Sequence, residues 1–254
     1  MTCGRRRNSR RRLWRAERNL KEWASSKAVK ARKEVTKVET GVGKTQFGLP
    51  IDYRFSQPAS EELIQRAATA LRTHNIAVEV VDTPAAARAY VNSILPKDKS
   101  IFTASSETVR LSGLDEDINH SGNYRSIRQQ LAKLDPNTQR AEIKRMTATP
   151  DVVVGSVHAV TQEGHLITGS ATGSQLGLYS TGAGKVIWVV GAQKIVPDFE
   201  TGMRRLKEYS YPKEDIRARA AYGSPSMIAK ILIVNADWPA GRSTVVLIRE
   251  SIGF

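Results

Sequence analysis

Between residues 155 and 196 the chain runs Gly155-Ser156-Val157-His158-Ala159-Val160-Thr161, later Ser170-Ala171-Thr172-Gly173-Ser174-Gln175, and finally Lys185-Val186-Ile187-Trp188-Val189-Val190-Gly191-Ala192-Gln193-Lys194-Ile195-Val196. Two β-type apolar runs flank a loop rich in hydroxyls and glycine that opens a helix-like segment. A strand with one wet face would show a polar residue at every second position. Val152-Val153-Val154 and Lys185 to Val190 do not, so they suit a parallel sheet covered on both faces. Loops at the ends of such strands present backbone N–H groups, which is how α/β proteins hold small anions.

Outward from this stretch, strand and helix signals alternate. Ser60 is placed to cap a helix with Leu63, Ala67, Leu71 and His74 on its apolar face, and Glu61 and Glu62 suit the helix N-terminus. Ala77 to Val81 reads as a strand. Thr83-Pro84, a cap followed by proline at the first helical position, predicts a helix through Ile94. Ser100 to Ala104 is the next strand, ending in Ser105-Ser106-Glu107-Thr108, and two polar helices around Tyr124–Leu134 and Thr138–Met146 are separated by Pro136. Val157–Val160 and Leu166–Ile167 turn on Glu163-Gly164 as a hairpin. Asp198 to Tyr209 is amphipathic, and Ile228–Val234 with Thr244–Ile248 would finish the sheet. The expected architecture is an open, mostly parallel α/β sheet with helices on both sides.

With 254 residues, 40% of them apolar, the chain can bury a real core. Its net charge of +14 and pI near 10.1 point at first to nucleic acid. The distribution points elsewhere. Residues 1–50 carry 15 Lys and Arg against 4 Asp and Glu, leaving 24 against 21 for residues 51–254. The expected division is therefore a basic N-terminal extension, 1–50, and a folded domain, 51–254, with nucleic acid disfavoured as a partner of the body. For the extension three readings compete: a solvated segment, a transit peptide, and an arm for nucleic acid or anionic lipid. A helix over 5–39 fits Leu13, Ala16, Leu20 and Trp23. Gly43-Lys44-Thr45 imitates a phosphate loop, but Val38 stands where that motif needs glycine. The one cysteine, Cys3, excludes an internal disulfide and a cysteine-ligated zinc or iron–sulfur cluster, and no cofactor is implied. No apolar run approaches a membrane span, so a cytoplasmic location is expected.

Three segments qualify as ligand contacts by lying beyond strand ends. Ser105, Ser106 and Thr108 offer hydroxyls at a helix start, although plain capping by Ser106 accounts for them equally well. Ser170, Thr172, Gly173, Ser174 and Gln175 suit an anion nest. Lys194, after the strongest strand, suits a carboxylate or phosphate if it is not simply solvated. Glu163 is either a turn residue or a base or nucleophile. His74, His120, His158 and His165 lack metal-ligand spacing, and no metal site is expected, though His158 and His165 could meet across the turn.

These segments, together with Val189-Val190-Gly191-Ala192-Gln193-Lys194-Ile195-Val196 and Gly241-Arg242, resemble the LUD-domain family, which includes the lactate-utilisation protein C group. The resemblance runs from about Glu61 to Phe254. It implies a three-layer, Rossmann-like sheet of the NagB/RpiA/CoA-transferase-like superfamily and a place in L-lactate oxidation to pyruvate beside iron–sulfur partner proteins. This chain would be the subunit without clusters, holding a small carboxylate or phosphorylated anion, with Arg242 added to the candidate ligand contacts. CoA-transferases of the superfamily use a glutamate followed closely by glycine, which Glu163-Gly164 resembles. The alternative reading is thus a transferase- or isomerase-like enzyme with Glu163 as base or nucleophile.

Overall fold

A computed structural model describes residues 41–135 and 137–254; the helix expected over 5–39 lies outside the described residues. β1 (Val42–Lys44) and β2 (Pro50–Asp52) open as an antiparallel hairpin, followed by α1 (Glu61–Thr73), β3 (Ala77–Val81), α2 (Pro84–Ile94) and β4 (Ser100–Thr103). Next come α3 (Glu107–Leu111), α4 (Leu114–His120), β5 (Arg125–Ser126), α5 (Ile127–Leu131) and α6 (Arg140–Ala148). β6 (Val152–Gly155), β7 (Ala159–Thr161), β8 (Leu166–Ser170), β9 (Lys185–Gly191) and β10 (Ile195–Val196) follow, then α7 (Phe199–Arg205), α8 (Tyr211–Tyr222), β11 (Lys230–Val234) and β12 (Ser243–Ile248). Among the described residues no helix is long and apolar enough to cross a membrane.

Six strands form a central sheet in the order β3-β12-β9-β6-β4-β5, and every pairing in it is parallel. The pleat divides each strand between two cores. Val153, Val186, Trp188, Val190, Val245 and Leu247 join the apolar face of α1 on one side. Val152, Val154, Ile187, Val189, Val246 and Ile248 meet Ala87 and Val91 of α2, Val109 of α3 and Leu114 and Ile118 of α4 on the other. This is the three-layer α/β arrangement that the continuous apolar runs predict.

Local chemistry sets the helix boundaries. Thr83 accepts a hydrogen bond from the Ala86 amide at 3.2 Å ahead of Pro84, and Ser126 caps α5 through the Gln129 amide at 3.2 Å. Ser60 holds the N-cap position of α1 without a side-chain bond. The buried face of α1 is Ile64, Ala67, Ala68 and Leu71, so Leu63 and His74 stand off the face expected for them. His74 instead follows the helix and stacks on His165, with ring centroids 6.0 Å apart.

Three further expectations need correction. β11 does not finish the central sheet. It pairs antiparallel with β8, at the edge of a separate sheet ordered β10-β7-β8-β11. After β4 the expected helix start at Ser106 opens α3, but a second helix, α4, follows it where none was expected. The helix expected over 198–209 continues to Tyr222 through a π-helical turn at Leu206–Ser210. Pro212 explains the widened turn: it has no N–H to donate, and its ring crowds the carbonyl four residues back.

The β7–β8 turn is held from both sides. Gly164 has φ +85°, and a Cβ there would lie 2.9 Å from the Ala70 carbonyl carbon of α1. Gly164→Ala should cost roughly 1–3 kcal/mol, combining left-handed strain with the clash. Urea unfolding of the two proteins measures it; equal midpoints and slopes would contradict this packing.

Candidate functional site

Parallel pairing brings the carboxyl ends of β4, β6 and β9 to one edge, and a cavity of about 460 Å³ lies there. Ser105 and Ser106 reach it after β4, Ser156 and His158 after β6, and Lys194 after β9. Ser170, Thr172, Ser174 and Gln175 close it from the end of β8, and Ser210, Tyr211 and Glu214 from the α7–α8 helix. This is where open α/β sheets bind ligands.

Lys194 dominates the chemistry of the cavity. It is 1% exposed, and its Nζ donates to Thr108 Oγ1 at 2.9 Å, Ser156 Oγ at 3.0 Å and the Val157 carbonyl at 3.1 Å. Ser156 sends its own proton to the Val189 carbonyl at 2.6 Å, and Thr108 sends its proton to the Ile252 carbonyl at 3.3 Å. Both hydroxyl oxygens therefore face Nζ as acceptors. Three acceptors around three protons suit an ammonium. Burial and the Arg205 guanidinium oppose that charge and push the Lys194 pKa well below the usual lysine range.

Arg205 is fully buried too. It donates to the Gln193 carbonyl at 2.9 Å, to Ser210 Oγ at 3.0 Å, to the Phe55 carbonyl at 3.4 Å and to the His158 carbonyl. Burial lowers its pKa to about 10. Among the described side chains, neither Lys194 nor Arg205 has a carboxylate partner. The two side-chain carboxylates that line the cavity are already paired: Glu107 with Arg110 at 2.7 Å, and Glu214 with Arg217 at 2.6 Å.

His158 accepts a hydrogen bond at Nδ1 from the Gly169 amide at 3.1 Å. Burial first, then Lys194 and Arg205, lower its pKa to about 3, so the ring is neutral at physiological pH. Its expected meeting with His165 does not occur, because His165 turns to His74 instead.

Several expected contacts are gathered and others are not. Ser105, Ser106, Ser170, Thr172, Ser174, Gln175 and Lys194 line the cavity. Ser106 also caps α3, accepting from the Val109 amide at 3.4 Å. Thr108 is buried and acts on Lys194. Gly173, with φ +81°, shapes the loop without lining the cavity. The expected nest is filled from within: the Gly173 amide donates to Ser170 Oγ at 2.9 Å and the Ser174 amide to Thr172 Oγ1 at 3.3 Å. Lys194 is not the solvated lysine of the alternative reading. Glu163 lies outside the lining, its side chain 66% exposed and 3.7 Å from His165 Nδ1. Arg242 also lies outside; its guanidinium binds the carbonyls of Leu178, Tyr179 and Ala183 at 2.9–3.1 Å and Asp237 at 3.5 Å. Sequence reasoning missed Ser156, Ser210 and Glu214 as lining residues, and Arg205 as the cation behind them. Ser156 and His158 follow a strand end, the same positional signal that singled out Ser105.

The neutral His158 has a consequence for stability. Its folded pKa lies below the ordinary 6.5, so between about pH 6.5 and 3 the unfolded chain binds the extra proton and stability falls with pH. The stability advantage of the native protein over His158→Gln should shrink by about 2 kcal/mol between pH 7 and pH 5 in urea titrations. An advantage independent of pH would show that the folded ring takes up a proton freely.

A solved structure of a DUF162 family protein from Deinococcus radiodurans is similar at 13% identity, covering 75% of this chain and 98% of that one, with a TM-score of 0.41. Comparison with curated proteins finds no significant match. The LUD domain matches residues 64–248. That match covers well over half of the sequence, and the chain belongs to the LUD domain family.

Proposed function

We propose that this chain is a cytoplasmic, cluster-free accessory or ligand-binding subunit of L-lactate utilisation, and that its cavity holds a small carboxylate or phosphorylated anion. Iron–sulfur proteins of a lactate-oxidising complex would be its partners, since its only cysteine is Cys3. One observation carries the anion reading. Two buried cations, Lys194 in the lining of the cavity and Arg205 behind it on Ser210 and the His158 carbonyl, have no carboxylate partner among the described side chains. Buried charges are ordinarily paired, because an unpaired one forfeits its hydration without a compensating attraction. An anion beside Lys194 supplies that attraction, and the hydroxyls of Ser105, Ser106, Ser170, Thr172 and Ser174 supply neutral hydrogen bonds around it.

The enzyme reading with Glu163 as base or nucleophile draws no support from the geometry, since that carboxylate is exposed and outside the lining.

Thermal and urea unfolding with lactate, pyruvate and inorganic phosphate test the proposal. A bound anion at a hundred times its dissociation constant should stabilise the native protein by about 2.7 kcal/mol. The gain should vanish in Lys194→Met and diminish in Ser174→Ala, whose side chain lies at the exposed mouth. Equal stabilisation of native and variant proteins, or none by any of the three anions, would overturn it.

A further inference from the structure

His158 is the one imidazole at the cavity, and its proton can be placed. A backbone N–H can only donate, so the Gly169 amide at 3.1 Å requires Nδ1 to be the unprotonated nitrogen. The neutral ring therefore carries its hydrogen on Nε2. The residue is held at its main chain as well: its amide donates to the Ile167 carbonyl at 2.9 Å and its carbonyl accepts from Arg205. His158 is a lining residue of the cavity, and its Nε2 has no hydrogen-bond partner among the described residues. The adjacent residue, Val157, gives its carbonyl to Lys194 Nζ. A fixed uncharged donor on His158 thus follows directly on the carbonyl that holds the buried ammonium of Lys194.

The two groups suit different acceptors. An ammonium with no counter-charge favours an anionic oxygen. A neutral N–H beside two cations adds no charge of its own, and the depressed pKa of His158 keeps it that way. We propose that His158 is a specificity-determining residue that hydrogen-bonds, through Nε2–H, an uncharged carbonyl or hydroxyl oxygen of the ligand next to its anionic group. The cavity then selects oxo- or hydroxy-substituted acids over plain acids of equal length. This inference rests on the anion site proposed above and goes beyond it by assigning the second oxygen.

Calorimetric titration of the full chain with pyruvate, lactate and propanoate, which share a carboxylate and three carbons, separates the two ideas. The native protein should bind at least one of the oxygen-bearing acids about tenfold more tightly than propanoate, the worth of one good hydrogen bond. In His158→Asn the short amide can still accept from Gly169 but cannot reach the position of Nε2. There the preference should disappear while propanoate affinity stays unchanged. His158→Gln, whose amide nitrogen reaches further, should recover part of the preference. In the native protein the ¹⁵N resonance of His158 Nε2 should move on adding the preferred acid and stay in place with propanoate. Equal affinity for all three acids, or a preference that survives in His158→Asn, would overturn the role of His158 and leave the anion site standing. Absence of binding by all three would overturn the anion site and this inference with it.

Discussion

A parallel ladder aligns every strand's carboxyl end, and the rest of this structure depends on that alignment. β12, β9, β6 and β4 are neighbours in register, buried on both faces. No single segment of the chain forms the site: Ser105, Ser156 and Lys194 are separated by dozens of residues and meet only because their strands end together. Sheet burial also fixes the depth of the cavity floor. Ser156 can hold Lys194 because its hydroxyl is anchored to the Val189 carbonyl of β9.

The charge in the cavity comes from side chains, not from main-chain amides. The loop after β8 turns its amides onto its own hydroxyls, leaving those hydroxyls and Gln175 to face the cavity. Lys194 in the lining and Arg205 behind it are the buried donors, and each is bound to neutral acceptors alone. Such an arrangement keeps the cations in place while leaving their charge unanswered. Burial chiefly keeps His158 neutral, and the two cations beside it act in the same direction.

Much of the fold was legible because its signals are local. Thr83-Pro84 marks a helix start by its own chemistry, and the run from Lys185 to Val190 marks a strand by lacking alternation. What failed was whatever depends on depth or on partners far along the chain. Ile228–Val234 is as apolar as a core strand, yet Ile231 and Ile233 are about 40% exposed at a sheet edge. Arg204 and Arg205 look alike in sequence; one reaches Glu208 on the surface and the other is buried against Gln193 and His158, because one residue is a quarter-turn of helix. Lys194 was legible by position beyond its strand, but its burial was not. Glu163-Gly164 drew notice as a motif, and its glycine answers to the contact with α1.

The central claim is that Lys194 is a buried cation whose missing counter-charge an anion supplies. The most direct measurement follows the titration of the Lys194 amine by NMR on lysine-labelled protein, first alone and then with saturating lactate, pyruvate or phosphate. The account predicts a pKa below the ordinary lysine value in the free protein and a rise toward it when an anion binds, because opposite charge favours the ammonium. An ordinary value in the free protein, or a depressed one that no anion moves, would contradict it.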